Sequence, residues 1–200
     1  MRIVTLSKIK NEADMIESFV RYHGEIVDEM FFVENGSTDG TLEILYALRE
    51  EGYSLTIFDE REAVFDELKF INKYAGIILR EDEVDWLVPI DADEFLYADG
   101  RNPREELELW NPDVVYMANW RTYLCDRNAR ERGGFVPDRF EVYREERCKE
   151  FTKVILPGRL WLKQKMMISR GNHQIVGIDV QTERTETIMF AHYPIRSGEQ

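Results

Sequence analysis

The sequence predicts an α/β fold: a mostly parallel sheet flanked by helices over roughly the first hundred residues, completed by a mixed β half. Three observations predict it. Strand-length apolar runs alternate with amphipathic helical patterns up to Ile90, the arrangement that builds parallel sheets through right-handed crossovers. Beyond Gly100 the pattern changes to short strand-like pieces joined by polar, Arg-rich connections. Apolar residues make up 44% of the 200 positions, enough core for one domain, and no repeat, low-complexity tract or linker divides residues 1–200.

The elements follow in order. Arg2 to Leu6 is a short buried strand, and residues 13–26 carry Met15, Ile16, Phe19, Val20 and Ile26 at helical spacing. Met30 to Val33 is a second strand, which runs into the dense turn signal Asn35-Gly36-Ser37-Thr38-Asp39-Gly40. A helix follows with Leu42, Leu45 and Leu48 inward and Gly52 as its stop. Tyr53 to Phe58 alternates as a third strand, residues 65–82 form a helix on Leu68, Ile71, Ala75 and Ile78, and Trp86 to Ile90 is a fourth strand. In the second half, Val114 to Met117, Thr152 to Leu156, Met166 to Ser169, Gln174 to Ile178 and Thr187 to Phe190 read as strands.

Charge separates the halves. Residues 1–100 hold 9 Lys/Arg against 24 Asp/Glu, a balance of −15, whereas residues 101–200 hold 17 against 15. A chain with net charge −13 is a poor partner for nucleic acid. Residues 144–170 carry 8 basic and 3 acidic residues, as expected if basic groups of the second half face an acidic metal site in the first. No run approaches the ~20 apolar residues of a membrane span, and the sequence opens on a strand with no signal-peptide pattern. Only Cys125 and Cys148 occur, so no disulfide framework is implied. A cytoplasmic setting is the expectation, with peripheral contact at the inner face of a membrane left open.

The strongest local signal is Ile90-Asp91-Ala92-Asp93-Glu94-Phe95. Apolar residues precede the acids, placing them at the carboxyl end of a buried strand, where open α/β sheets bind ligands. On an extended chain Asp91 and Asp93 point to one side and Ala92 away, so the two carboxylates can share a cation that relieves their repulsion. All-oxygen ligands suit Mg²⁺ or Mn²⁺. The second signal is Glu34-Asn35-Gly36-Ser37-Thr38-Asp39-Gly40-Thr41, in which the glycines permit a tight turn and Asp39 caps the next helix. Lys10-Asn11-Glu12, just past the first strand, is the third.

Taken in series, these motifs resemble the family 2 glycosyltransferases of GT-A fold, and within them a bacterial branch with an "aspartate-any-aspartate-glutamate" motif. The likeness covers roughly residues 2–97 and continues more loosely through Lys149 to Lys153, Gly171-Asn-His173 and His192-Tyr193. It implies inverting transfer from a nucleoside-diphosphate sugar, a UDP-sugar first, to a saccharide or glycan, as in polysaccharide biosynthesis. Residues 1–100 would bind the donor and residues 101–200 the acceptor. By the resemblance Glu34 stands where the family often has a base-contacting Asp. Asp91 approaches the ribose and metal shell, Asp93 binds the metal, and the loop from Lys8 to Asn11 lies against the nucleotide. Glu34 is one methylene longer than the family's Asp, which leaves the base open.

The remaining residues receive roles from the chemistry. A departing diphosphate gathers negative charge, which a cation on Asp91 and Asp93 offsets, with Lys149, Lys153, Arg159 or Lys163 adding fixed positive charge; Lys153 is preferred. An inverting enzyme needs a base for the acceptor hydroxyl; Glu150 is preferred over Asp138 and Asp179. His192 is expected to complete the metal site, with His173 as its rival, while His23 is structural. Trp120 and Trp161 could stack on a sugar or fill the core. Gln200 follows closely on His192, which leaves room for further residues in the natural protein. Two other readings compete: a non-catalytic sugar-nucleotide-binding module, and a phosphatase with an aspartyl nucleophile, against which Glu94-Phe95 stands where a small Gly-Thr turn is wanted.

Overall fold

The computed structural model describes residues 1–61, 66–81, 83–124, 134–140, 142–144, 151–177 and 179–194. The first half holds β1 (Ile3–Ile9), α1 (Ile16–His23), β2 (Glu29–Glu34), α2 (Thr41–Glu50), β3 (Leu55–Asp59), α3 (Glu67–Glu81), β4 (Trp86–Pro89) and β5 (Glu94–Tyr97). The second adds α4 (Pro103–Glu108), β6 (Val115–Leu124), β7 (Val142–Tyr143), β8 (Thr152–Pro157), α5 (Gly158–Gln164), β9 (Met167–Ile168), β10 (Ile175–Val176) and β11 (Thr182–His192). Glu150, Lys149, Cys125 and Cys148 lie outside the described residues. Among the described residues no helix is long and apolar enough to cross a membrane.

One sheet runs through both halves in the order β3-β2-β1-β4-β8-β6-β11-β5, with β7 beside β6, and β9 and β10 form a separate pair. Strands β3, β2, β1 and β4 are parallel, as their alternation with helices predicts. β8 then enters antiparallel between β4 and β6. Because β8 runs against β4, its first residues meet the carboxyl end of β4 and its last meet the amino end, where Pro157 pairs with Trp86. Pro89 is tolerated in this interior strand because β8 pairs only with Trp86 and Leu87, so its missing N–H leaves no ladder bond unmade.

Alternation divides the core between the faces of the sheet. Ile3, Met30, Phe32, Trp86, Val88 and Ile155 pack with α1 and α2 on one side. Val4, Leu6, Phe31, Val33, Leu87 and Val154 pack with α3 and α5 on the other. Every one of these strands is covered on both faces, which is why they read as continuous apolar runs. Four expectations change. Leu68 is 42% exposed, and Phe70 and Tyr74 bury the face of α3 instead. Strands β6 and β11 are longer than their apolar cores suggest, since half-polar residues continue both ladders. Trp161 is buried against α3 and offers no face to a sugar. Helices α4 and α5 and strand β5 carry too few periodic apolar positions to stand out in the sequence.

His23 ends α1 fully buried. Its Nδ1 lies 3.0 Å from the Phe19 carbonyl and its Nε2 accepts the Leu96 N–H at 3.3 Å, so the neutral ring satisfies both partners. Burial holds its pKa down to about 3. The unfolded chain takes up a proton near pH 6.5, so His23 contributes stability that is complete above that pH and is lost as pH falls toward 3. The loss is about 1.4 kcal/mol per unit. Urea unfolding of the wild type is expected to weaken by about 2 kcal/mol more than that of His23→Gln between pH 6.5 and 5. Parallel pH profiles for the two proteins would contradict the buried neutral ring.

Candidate active site at the carboxyl edge of the sheet

The ends of β1, β2 and β4 share one edge: Ile9 is in register with Glu34, and Leu6 with Pro89. Strand order reverses between β1 and β4, and crevices for ligands form at such a switch point. A hollow lined by Gly24, Asp28, Tyr53 and Ser54 lies at the opposite, amino edge.

Two loops at this edge are laced together. Asn11, at φ 58°, accepts the Thr38 N–H at 2.8 Å, and its own N–H reaches Ser37 Oγ at 3.0 Å. Asp39 accepts from Thr41 N at 3.1 Å, Thr41 Oγ1 at 2.6 Å and Ala13 N at 3.0 Å. Gly36 and Gly40, at φ 72° and 96°, take the left-handed turns this weave requires. Asn35 donates to the Glu60 carbonyl at 2.7 Å. Asn11, Asn35 and Asp39 therefore build the loop, while Lys10 is exposed on it.

Glu34 is buried beneath the turn. One carboxylate oxygen accepts the Ser37 N–H, and Oε2 is buried with no hydrogen-bond partner among the described residues. Burial alone would raise its pKa, but the N–H groups of Ser37 and Gly36 outweigh that and hold it below the usual range. Glu34 thus sets a buried negative charge, with one oxygen lacking a close hydrogen-bond partner among the described residues, under the turn at this edge.

The acids after β4 do not lie on an extended strand. The chain turns there: Glu94 N donates to the Asp91 carbonyl at 3.0 Å, Ala92 is buried, and β5 begins at Glu94. Asp91 and Asp93 consequently have different partners. Lys153, at the start of β8, brings its ammonium to 2.7 Å from Asp91 Oδ2 and 2.9 Å from Glu94 Oε1. Glu94 Oε2 accepts the Asp91 N–H at 3.1 Å. Asp93 Oδ2 lies 3.6 Å from His192 Nε2. Strand β11 produces that approach by pairing antiparallel with β5, His192 opposite Glu94.

The electrostatics follow from burial. Desolvation and then the charge of Asp91 push Glu94 up to about 8, Lys153 offsetting only part. Desolvation works on Asp91 in the same sense, but Lys153, Lys8 and His192 outweigh it and hold its carboxyl below the usual range. Burial opposes the Lys153 charge, and Glu94 and Asp91 overcome that and raise its pKa.

The antiparallel course of β8 also sorts the other candidates. Lys153 at its start meets the acids, whereas Arg159 and Lys163 on α5 are carried to the amino edge, where Arg159 pairs with Asp113 at 2.6 Å. The sequence included Glu94 in its strongest motif but gave it no role; the signal for one was an acid placed directly before the buried pair Phe95-Leu96. Asp138 sits exposed on a 3-10 turn, Val136–Arg139. Asp179 is exposed, and its carbonyl accepts from Gln164 at 3.1 Å. His173 is tied through Nδ1 to the Thr152 carbonyl at 2.9 Å.

A row of rings stands beside the acids. Trp120 stacks on His192 with centroids 5.1 Å apart, and on Phe151 at 5.8 Å and 9°. His173 meets the Trp120 ring edge-on at 5.0 Å. Phe151, at the far end from His192, is 52% exposed.

No family model matches the sequence, and no curated protein matches it. Solved structures share its fold. TarS 1-349 of S. aureus in complex with UDP-GlcNAc matches with TM-score 0.61 at 12% identity, covering 98% of this chain and 60% of that one. GalNAc-T7 with UDP, GalNAc and Mn2+ matches with TM-score 0.60 at 9% identity, covering 99% of this chain and 44% of that one. The chain thus spans three fifths or less of these proteins' lengths. The architecture is that of GT-A glycosyltransferases, a mixed α/β fold around one large sheet.

Proposed function

We propose that the protein transfers a sugar from a nucleoside-diphosphate sugar, a UDP-sugar first, to a saccharide or glycan acceptor with inversion at the transferred carbon. The observation that carries this reading is the gathering, at one carboxyl edge, of the unpartnered Glu34 oxygen and the Asp91, Asp93 and His192 groups. Fold neighbours crystallised with UDP-GlcNAc and with UDP, GalNAc and Mn2+ support it.

Glu34 offers one charged acceptor, which suits the single ring N–H of uracil. Asp91 keeps a 32% exposed side chain beside Lys153, suited to a ribose hydroxyl or a water of the metal shell. Asp93 and His192, 3.6 Å apart, would together hold one divalent cation. Among the described residues no set of three or more His, Cys, Asp or Glu side chains could hold a metal, so diphosphate oxygens and water would complete the shell. Mn²⁺ suits the imidazole better than Mg²⁺ does. When bound there, the cation would supply Lewis-acid charge at the departing diphosphate. The ring row of Trp120 and Phe151 suits the apolar face of an acceptor sugar. Glu150, next to Phe151 in sequence, remains our assignment for the base, ahead of Asp138 and Asp179. A cytoplasmic enzyme acting at or near the inner face of a membrane fits this reading.

A thermal-shift panel of UDP, GDP, ADP and CDP, each with and without Mn²⁺, tests it. UDP at ~100 times its Kd is expected to stabilise the fold by ~2.7 kcal/mol only when Mn²⁺ is present. Absence of a shift with every nucleotide would sink the donor reading; a shift confined to GDP would keep it and reassign the base.

A further inference from the structure

We infer that Lys153 and Glu94 are positioning residues that hold Asp91 for the nucleotide, so that Lys153 acts through Asp91 rather than on the diphosphate. This rests on the donor reading above. Geometry carries it. Glu94 holds Asp91 once directly and once through Lys153: Oε2 accepts the Asp91 backbone N–H at 3.1 Å, and Oε1 lies 2.9 Å from the ammonium of Lys153, which in turn holds Asp91 Oδ2 at 2.7 Å. The Lys153 and Glu94 side chains are 2% and 1% exposed, while that of Asp91 is 32% exposed. One Asp91 oxygen is thus committed inward, and the carboxylate's other oxygen is the one presented at the edge. The Trp120 ring, 5.4 Å from Nζ, covers the ammonium further.

A lysine serving the diphosphate directly would need its head in reach of solvent and ligand. The Lys153 ammonium is itself buried and engaged by two protein carboxyl groups. Apolar side chains of similar volume commonly replace buried ion pairs at little or no cost in stability, so fixing Asp91 is the service that explains three ionisable groups placed here. The arrangement matches the demand on a site whose first layer must be held within about 0.5 Å by a supporting layer.

A double-mutant cycle on UDP affinity, measured by calorimetry in saturating Mn²⁺ with GDP run in parallel, decides the matter. Lys153→Met is expected to weaken UDP binding at least tenfold in the wild-type background and less than twofold in Asp91→Asn. Glu94→Gln, nearly isosteric, is expected to show the same dependence on Asp91 and covers the case in which Lys153→Met fails to fold. Uridine should lose affinity in step with UDP, since the lost contact is to the nucleoside side. Additive losses, or a loss for UDP that spares uridine, would place Lys153 on the diphosphate and overturn the inference. If wild-type protein binds neither UDP nor GDP, the donor reading itself fails, and this inference with it.

Discussion

Asp93→Asn is expected to lower sugar transfer by about a thousandfold while leaving the protein folded. Asp93 and His192 approach to 3.6 Å where β11 meets β5, and a carboxylate is the stronger ligand of that pair for a hard cation. Losing it removes charge stabilisation of several kcal/mol from the departing diphosphate, at about 1.4 kcal/mol per tenfold in rate. Stability should hold or rise slightly, because the neighbouring Asp91 is charged and one of two close negative charges disappears. The Mn²⁺-dependent part of the UDP thermal shift should vanish in Asp93→Asn and in His192→Ala, and survive in His173→Ala, whose ring is bound to the Thr152 carbonyl. Near-normal turnover in a folded Asp93→Asn protein would remove the metal role; loss of the shift in His173→Ala alone would move the second ligand there.

Phe19→Ala should produce the largest loss of stability, about 3–5 kcal/mol. Phe19 is fully buried on α1 and meets Phe32 of β2, Phe95 of β5 and His23, with ring centroids 6.0, 6.1 and 4.2 Å away. Its removal opens a cavity between the parallel half of the sheet and the strand that carries Glu94. At roughly 2–4 °C per kcal/mol for a domain of this size, the melting temperature should fall by about 10 °C. Because Phe95 follows Glu94 directly, affinity for UDP with Mn²⁺ should fall as well. A melting temperature within two or three degrees of wild type would mean that α1 and β5 are not held by this contact.

Much of this was written locally in the chain. β1, β2 and β4 were legible because strands buried on both faces are nearly continuous apolar runs, and the half-buried edge strand β3 by its alternation. The turn from Asn35 to Gly40 was legible because left-handed backbone demands glycine. Acids directly after a buried apolar strand marked Asp91 and Asp93, since a strand end in a parallel sheet is where charge meets solvent. His192 was expected near the acids on a strand returning beside the Asp91 strand; β11 instead pairs with β5 and β6, and it is β5 that sets His192 opposite Glu94.

Only the tertiary structure decided the rest. The sequence preferred Lys153 over Arg159 and Lys163 because it begins a strand-like run, but its partners are set by strand direction: the antiparallel course of β8 sends it to the acids and the other two to the amino edge. The turn at Ala92 and Asp93 splits the two aspartates between a lysine and a histidine, because Glu94 enters β5 and draws the Asp91 backbone with it. Trp120 and Trp161 look alike in sequence, yet the first stands beside the acids and the second is sealed under α3. Local pattern fixes which side chains are buried and where the backbone turns, since both depend on neighbours a few residues away. Which charge faces which depends on strand order and direction, set by pairings between residues more than sixty positions apart, and these no local pattern encodes.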